Sequence, residues 1–183
     1  SNVEIYDSMF ESNKDFNQDI SNWNTSSGLS MSEMFRDTSG GFSGDINSWN
    51  VSNVSDFSSM FSTSNYNNSI HSWNMTSALD LSKMFVNNTD FDQDIRDWNV
   101  YNVVSMMQMF HGATGYDQNL SDWHIGPNMT DMSGMFRRTS FRRASNFNQP
   151  LDKWDTSKVT AMSNTFQRAD NFNQPLNKWD TSS

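Results

Sequence analysis

The chain has 183 residues, enough for one domain of ordinary size, with 21 acidic against 12 basic side chains, a net charge of −9 and no cysteine. The missing cysteines exclude a disulfide framework and a thiolate zinc site, the acidic balance argues against nucleic acid as a partner, and no apolar run approaches the roughly 20 residues that span a bilayer. Leu, Ile, Val and Phe number 6, 6, 8 and 14, which with this charge borders on a disordered composition, but periodicity overrules that reading.

Trp recurs at 23, 49, 73, 98, 123, 154 and 179, at spacings of 26, 24, 25, 25, 31 and 25. Seven residues before each stands an aromatic (Phe16, Phe42, Tyr66, Phe91, Tyr116, Phe147, Phe172), and three before each an aliphatic (Ile20, Ile46, Ile70, Ile95, Leu120, Leu151, Leu176). An M-x-x-M-F segment closes the unit, with variation: Tyr6/Met9/Phe10, Met31/Met34/Phe35, Phe57/Met60/Phe61, Leu81/Met84/Phe85, Met106/Met109/Phe110, Met132/Met135/Phe136 and Met162/Thr165/Phe166. Such self-similarity marks stacked repeats, because one short unit cannot bury its apolar side chains alone.

Within a unit, Trp98 to Val100 alternates as a short strand does. Val103, Met106, Met109 and Phe110 fall at 0, 3, 6 and 7, one face of a short helix. These patterns predict an α/β, leucine-rich-repeat-like solenoid of about seven 25-residue coils, with parallel strands on one face and short helices on the other. The expected organisation is a single repeat solenoid over residues 1–183. It reads as a fragment of a longer protein, since Met9-Phe10 already closes a unit. The M-F to aromatic connection takes 5 to 7 residues except between Phe136 and Phe147, where it takes 11. An irregular surface insertion is therefore expected at 137–146.

Phe16–Ser26 (F-N-Q-D-I-x-x-W-N-T-S), and Phe147–Ser157 and Phe172–Ser182 (F-N-Q-P-L-x-K-W-D-T-S), with V-x-x-M-x-x-M-F, resemble the BspA-like leucine-rich surface-protein repeats of the Met- and Trp-rich "lipoprotein repeat" type. The resemblance covers essentially the whole chain. It implies a leucine-rich-repeat-type fold and an extracellular or cell-surface location, with adhesion as the expected role, and it brings no catalytic residues. This chain departs from the pattern at His124, at Thr165 and in the Arg-rich insertion.

The unbroken column Trp23, Trp49, Trp73, Trp98, Trp123, Trp154 and Trp179 reads as repeat core, packed with Met sulfur, rather than as a row of sugar platforms. The column after it (Asn24, Asn50, Asn74, Asn99, His124, Asp155, Asp180) suits turns more than metal. His71, His111 and His124 occupy different registers, and no nucleophile, phosphate-loop or zinc-ligand motif is present. No catalytic, cofactor or metal site is expected. Arg137, Arg138, Phe141, Arg142 and Arg143 form a candidate partner-binding loop for a carboxylate- or sulfate-bearing glycan or for an acidic neighbour. Asn67 and Asn87 are candidate N-glycosylation acceptors.

The sequence-based expectation is a non-enzymatic extracellular scaffold mediating adhesion or protein–protein interaction. Two other readings stand beside it: a structural subunit of an extracellular filament or coat built by stacking, and a carbohydrate-binding module.

Overall fold

The computed structural model describes residues 2–138 and 146–182. Its units stack as seven successive coils, each hydrogen-bonded to the next along the backbone. The secondary structure differs from the α/β leucine-rich-repeat-like solenoid expected from the sequence. Among the described residues there is no helix and no sheet. β pairing is confined to six isolated parallel bridges that step from Ile5 through Ser30, Asp56, Asp80, Ser105 and Asp131 to Ala161.

The M-x-x-M-F segment shows why no helix forms. In the second coil Met34 N–H bonds Met31 C=O at 3.3 Å and Arg36 N–H bonds Glu33 C=O at 3.0 Å, closing consecutive turns. Glu33 and Asp37 have φ of 57° and 53°, the left-handed conformation that a type II turn requires at its third residue and a right-handed helix cannot contain. The alternate N–H groups, those of Met31, Glu33, Phe35 and Asp37, point to the next coil and bond Asp56, Ser58, Met60 and Ser62 C=O at 2.9, 2.9, 3.0 and 2.9 Å. One set of donors thus closes turns and the other joins coils, so that both sets find carbonyl partners. The pattern recurs with Ser8/Ser12, Ser59/Thr63, Lys83/Asn87, Gln108/Gly112 and Asn164/Arg168 as the positive-φ pairs. A turn closed from residue i to i+3, as from Met106 to Met109, gives the same three-residue step between apolar side chains that suggested a helix.

The stretch after Trp98 is likewise no strand. Trp98 N–H closes a turn onto Ile95 C=O and Val103 N–H onto Val100 C=O, both at 3.1 Å, while Asn99 Oδ1 accepts Tyr101 N–H at 3.1 Å. An Asn at this place offers the backbone a local partner in competition with a ladder. The parallel bridge falls instead at Ser105, at the entry to the next turn segment.

Three aromatic columns run through the stack. Phe10, Phe35, Phe61, Phe85, Phe110, Phe136 and Phe166 follow one another with ring centroids 5.5 to 5.8 Å apart. Each also stacks within its own coil on the aromatic that opens the next unit, as Phe85 does on Phe91 at 3.8 Å. The third column is Trp, with Trp23 and Trp49 centroids 6.2 Å apart. Met31, Met34, Met60, Met84, Met106, Met109, Met132 and Met135 fill between the rings and are fully buried. Offset stacking of this kind adds to the area term.

Candidate functional site

The expected site residues divide sharply by position. Trp49, Trp73, Trp98, Trp123 and Trp154 are buried, and Trp23 and Trp179 are half-buried. Each indole from Trp49 onward donates its N–H to the backbone carbonyl of the aliphatic residue one coil back, Ile20, Ile46, Ile70, Ile95, Leu120 and Leu151 in turn, at 2.9 to 3.1 Å. A buried indole needs such an acceptor, and with it the ring is locked in the wall between coils.

The polar column after Trp closes turns: Asn24, Asn50, Asn74, Asn99, Asp155 and Asp180 each accept the N–H two residues on. Among the described residues no group of His, Cys, Asp and Glu is placed to hold a metal ion. Nor, among the described residues, is any helix long and apolar enough to cross a membrane.

Asn67 and Asn87 are both exposed. Asn67 also carries structure, since its Oδ1 accepts Asp92 N–H at 2.9 Å and Gln93 Nε2 at 3.0 Å. That pattern repeats from Asp92 to Asp117 and Gln118, from Asp117 to Asn148 and Gln149, and from Asn148 to Asn173 and Gln174. The Asn/Asp-Gln pair after Phe91, Tyr116, Phe147 and Phe172 is therefore a coil-to-coil clamp. Sequence reasoning missed it, although the pair stood in plain register.

Of the candidate loop, Arg137 and Arg138 are described, and Phe141, Arg142 and Arg143 lie outside the described residues. Arg138 is buried and ion-paired with Asp170, so it serves the stack. Arg137 is partly buried, with no ion pair among the described residues.

A further surface feature lies across the fourth and fifth coils. It is a groove of about 520 Å³ lined in part by Arg96, Asp97, Tyr101, Asn102, Asp122 and His124. Tyr101 is 50% exposed, where the same position holds Ser26, Ser52, Thr76 and Ser157 in other coils. Its neighbour in the next coil is Gly126, where a Cβ would stand 1.8 Å from Tyr101 O. Only glycine permits that approach, and it leaves the tyrosine ring without a side chain beside it. Two carboxylates at this end of the coils are charge-paired. Asp122 meets Lys153 at 2.8 Å, and Asp94 meets Arg96 at 2.8 Å. Both carboxyls are held below the usual range, mainly by those side-chain hydrogen bonds. Sequence reasoning singled out His124 here but not Tyr101, whose signal was one aromatic in a column of small hydroxyl residues.

Together the stack and its groove define a repeat domain whose recurring side chains build the coils. A family model described as "Mycoplasma protein of unknown function, DUF285" matches residues 1–73, 41–141 and 138–183, so the chain belongs to that family. No curated protein and no solved structure matches it.

Proposed function

We propose that this chain is a non-enzymatic scaffold that mediates adhesion or protein–protein interaction at the cell surface. One observation carries the reading. The side chains that repeat from coil to coil are used for the stack, and the groove adds to repeat residues such as Trp98 and Asn99 two that break the pattern, Tyr101 and His124, with Gly126 next to Tyr101. The likeness of the F-N-Q-P-L-x-K-W-D-T-S units to BspA-like surface-protein repeats supports the location. An exposed ring sharing its groove with Asp97 suits a partner's Lys or Arg side chain, held by cation–π contact and ion pairing.

The test is retention of the purified chain on intact cell surfaces, compared with Tyr101→Ala and Asp97→Asn variants whose circular dichroism is unchanged. Retention of the native chain and its loss in both variants supports the proposal. Retention that ignores both substitutions, or no retention by the native chain, sinks it.

A second reading, a subunit that stacks into a filament or coat, is favoured by charge. Residues 1–130 hold 16 acids and 4 bases, and residues 131–183 hold 5 acids and 8 bases. Head-to-tail contact would join unlike charges and weaken with salt. A strictly monomeric species in sedimentation at high concentration removes that reading.

A further inference from the structure

Two buried nitrogens on successive coils have no hydrogen-bond partner among the described residues, His111 Nδ1 and Arg137 Nε. They belong to one column. Asn87 N–H bonds His111 C=O at 2.8 Å, Gly112 N–H bonds Arg137 C=O at 2.8 Å, and Arg138 N–H bonds Gln167 C=O at 3.1 Å. His111 and Arg137 are therefore in register in adjacent coils. His111 is 9% exposed.

The second coil shows what an arginine in this column normally has. Arg36 sits at the position equivalent to Arg137, directly after the Phe of M-F. It is paired with Glu11, one coil back in the same column, at 3.5 Å, and with Glu33, three residues before it, at 2.9 Å. At Arg137 the residue one coil back is His111 and the residue three before is Gly134. Both carboxylates are thus missing, one replaced by an imidazole and the other by no side chain at all. Gly134 has φ +63°, in line with 57° at Glu33, so the backbone matches and only the acid is deleted. A Cβ built there would lie 3.9 Å from Arg137 Cβ and Cδ, and 3.2 Å from Gln108 Cγ, a contact that a small shift of the Gln108 side chain relieves. Asp170, a carboxylate close by, is engaged by Arg138.

The geometry points to an oxyanion-binding site at His111 and Arg137, taking a carboxylate or sulfate group in the place that Glu11 and Glu33 fill around Arg36. A guanidinium and an imidazole N–H give charge-assisted donors to such a group. Burial strengthens each bond, since the alternative is an unpaired polar group away from water.

The test is NMR titration of the His111 ring in the native chain with sodium sulfate and, separately, sodium acetate, at ionic strength held constant with chloride. A saturable shift of His111, with the exposed His71 and His124 rings unmoved, is expected. Stronger response to sulfate assigns a sulfate ester as the natural group, and stronger response to acetate a carboxylate. Arg137→Gln should weaken binding by roughly tenfold or more, the loss of one charge-assisted hydrogen bond. Gly134→Glu should abolish the response while the chain stays folded, because it restores the internal carboxylate that Arg36 enjoys. No saturable shift, equal movement of all three histidines, or an unchanged response in both variants overturns the site.

Discussion

Tyr116 stands in a column that otherwise holds Phe16, Phe42, Phe91, Phe147, Phe172 and one further tyrosine, Tyr66. Its hydroxyl is buried without a partner, and burial pushes its pKa well up, with Asp92, Asp94 and Asp117 adding to the shift. An unpaired buried hydroxyl costs free energy that a phenyl ring does not. Tyr116→Phe is therefore expected to leave stability unchanged or raise it by up to about 1 kcal/mol, measured by chemical unfolding; a loss would reveal a hidden partner for the hydroxyl. The same column logic made much of the interior legible from sequence: unbroken Trp, Phe and Ile/Leu positions are where the rings pack. What escaped was polar. The indole acceptors are backbone carbonyls one coil away, which no side-chain pattern announces. The Asn/Asp-Gln clamps carry no distinct signature, because a residue bonding across coils and one bonding its own turn are the same residue type.

At the scale of the element, the spacing of Val103, Met106, Met109 and Phe110 fits both a helix and a run of three-residue turns, and apolar pattern alone does not separate them. The separating feature is φ, and it sits at residues that carry no sequence signature: Lys83 at 59°, Gln108 at 56°, Arg168 at 60°. Glycine at two such places, Gly112 and Gly134 at 74° and 63°, was the available hint. Left-handed backbone costs a residue with a Cβ about 1–2 kcal/mol, and glycine escapes it while giving back roughly 0.5–1 kcal/mol in chain entropy. Lys83→Gly, at an exposed side chain, is thus expected to stabilise by up to about 1 kcal/mol, and Lys83→Val to destabilise; thermal unfolding of the pair checks both. An outcome with valine the more stable would mean that the segment tolerates a helical φ there. The strand expected at Trp98–Val100 failed for a related reason, since Asn99 turns the chain locally and moves the bridge to Ser105.

Over the whole molecule the charge changes sign along the stack, from acids paired with Arg36 and Lys14 in the first coils to Arg137, Arg138 and Arg168 in the last two. The titrating groups then set two acid transitions. His111 is held below its ordinary 6.5 by burial and by Arg137, so the unfolded chain takes up the proton first. Its contribution is complete above about pH 6.5 and is lost as pH falls from there toward the depressed folded value. Asp94, Asp122 and Asp152 are held below their ordinary 3.8 by Arg96, Lys153 and Lys178; their contribution is present above that value and is lost as pH falls through the lowered ones. Melting temperature should fall in two steps on acidification, and His111→Gln should remove the upper step alone. A single step near pH 4 in the native chain would contradict the burial of His111. The clamps, bridges and ring columns all join residues one coil apart, and the joint between any two coils is nearly the same joint. A gene encoding such units, with Phe147–Ser157 and Phe172–Ser182 nearly identical, can gain or lose a whole unit by unequal recombination and still specify a chain whose every new junction is one it already contains. Reach is then a heritable variable that changes in fixed increments, without any new packing problem to solve.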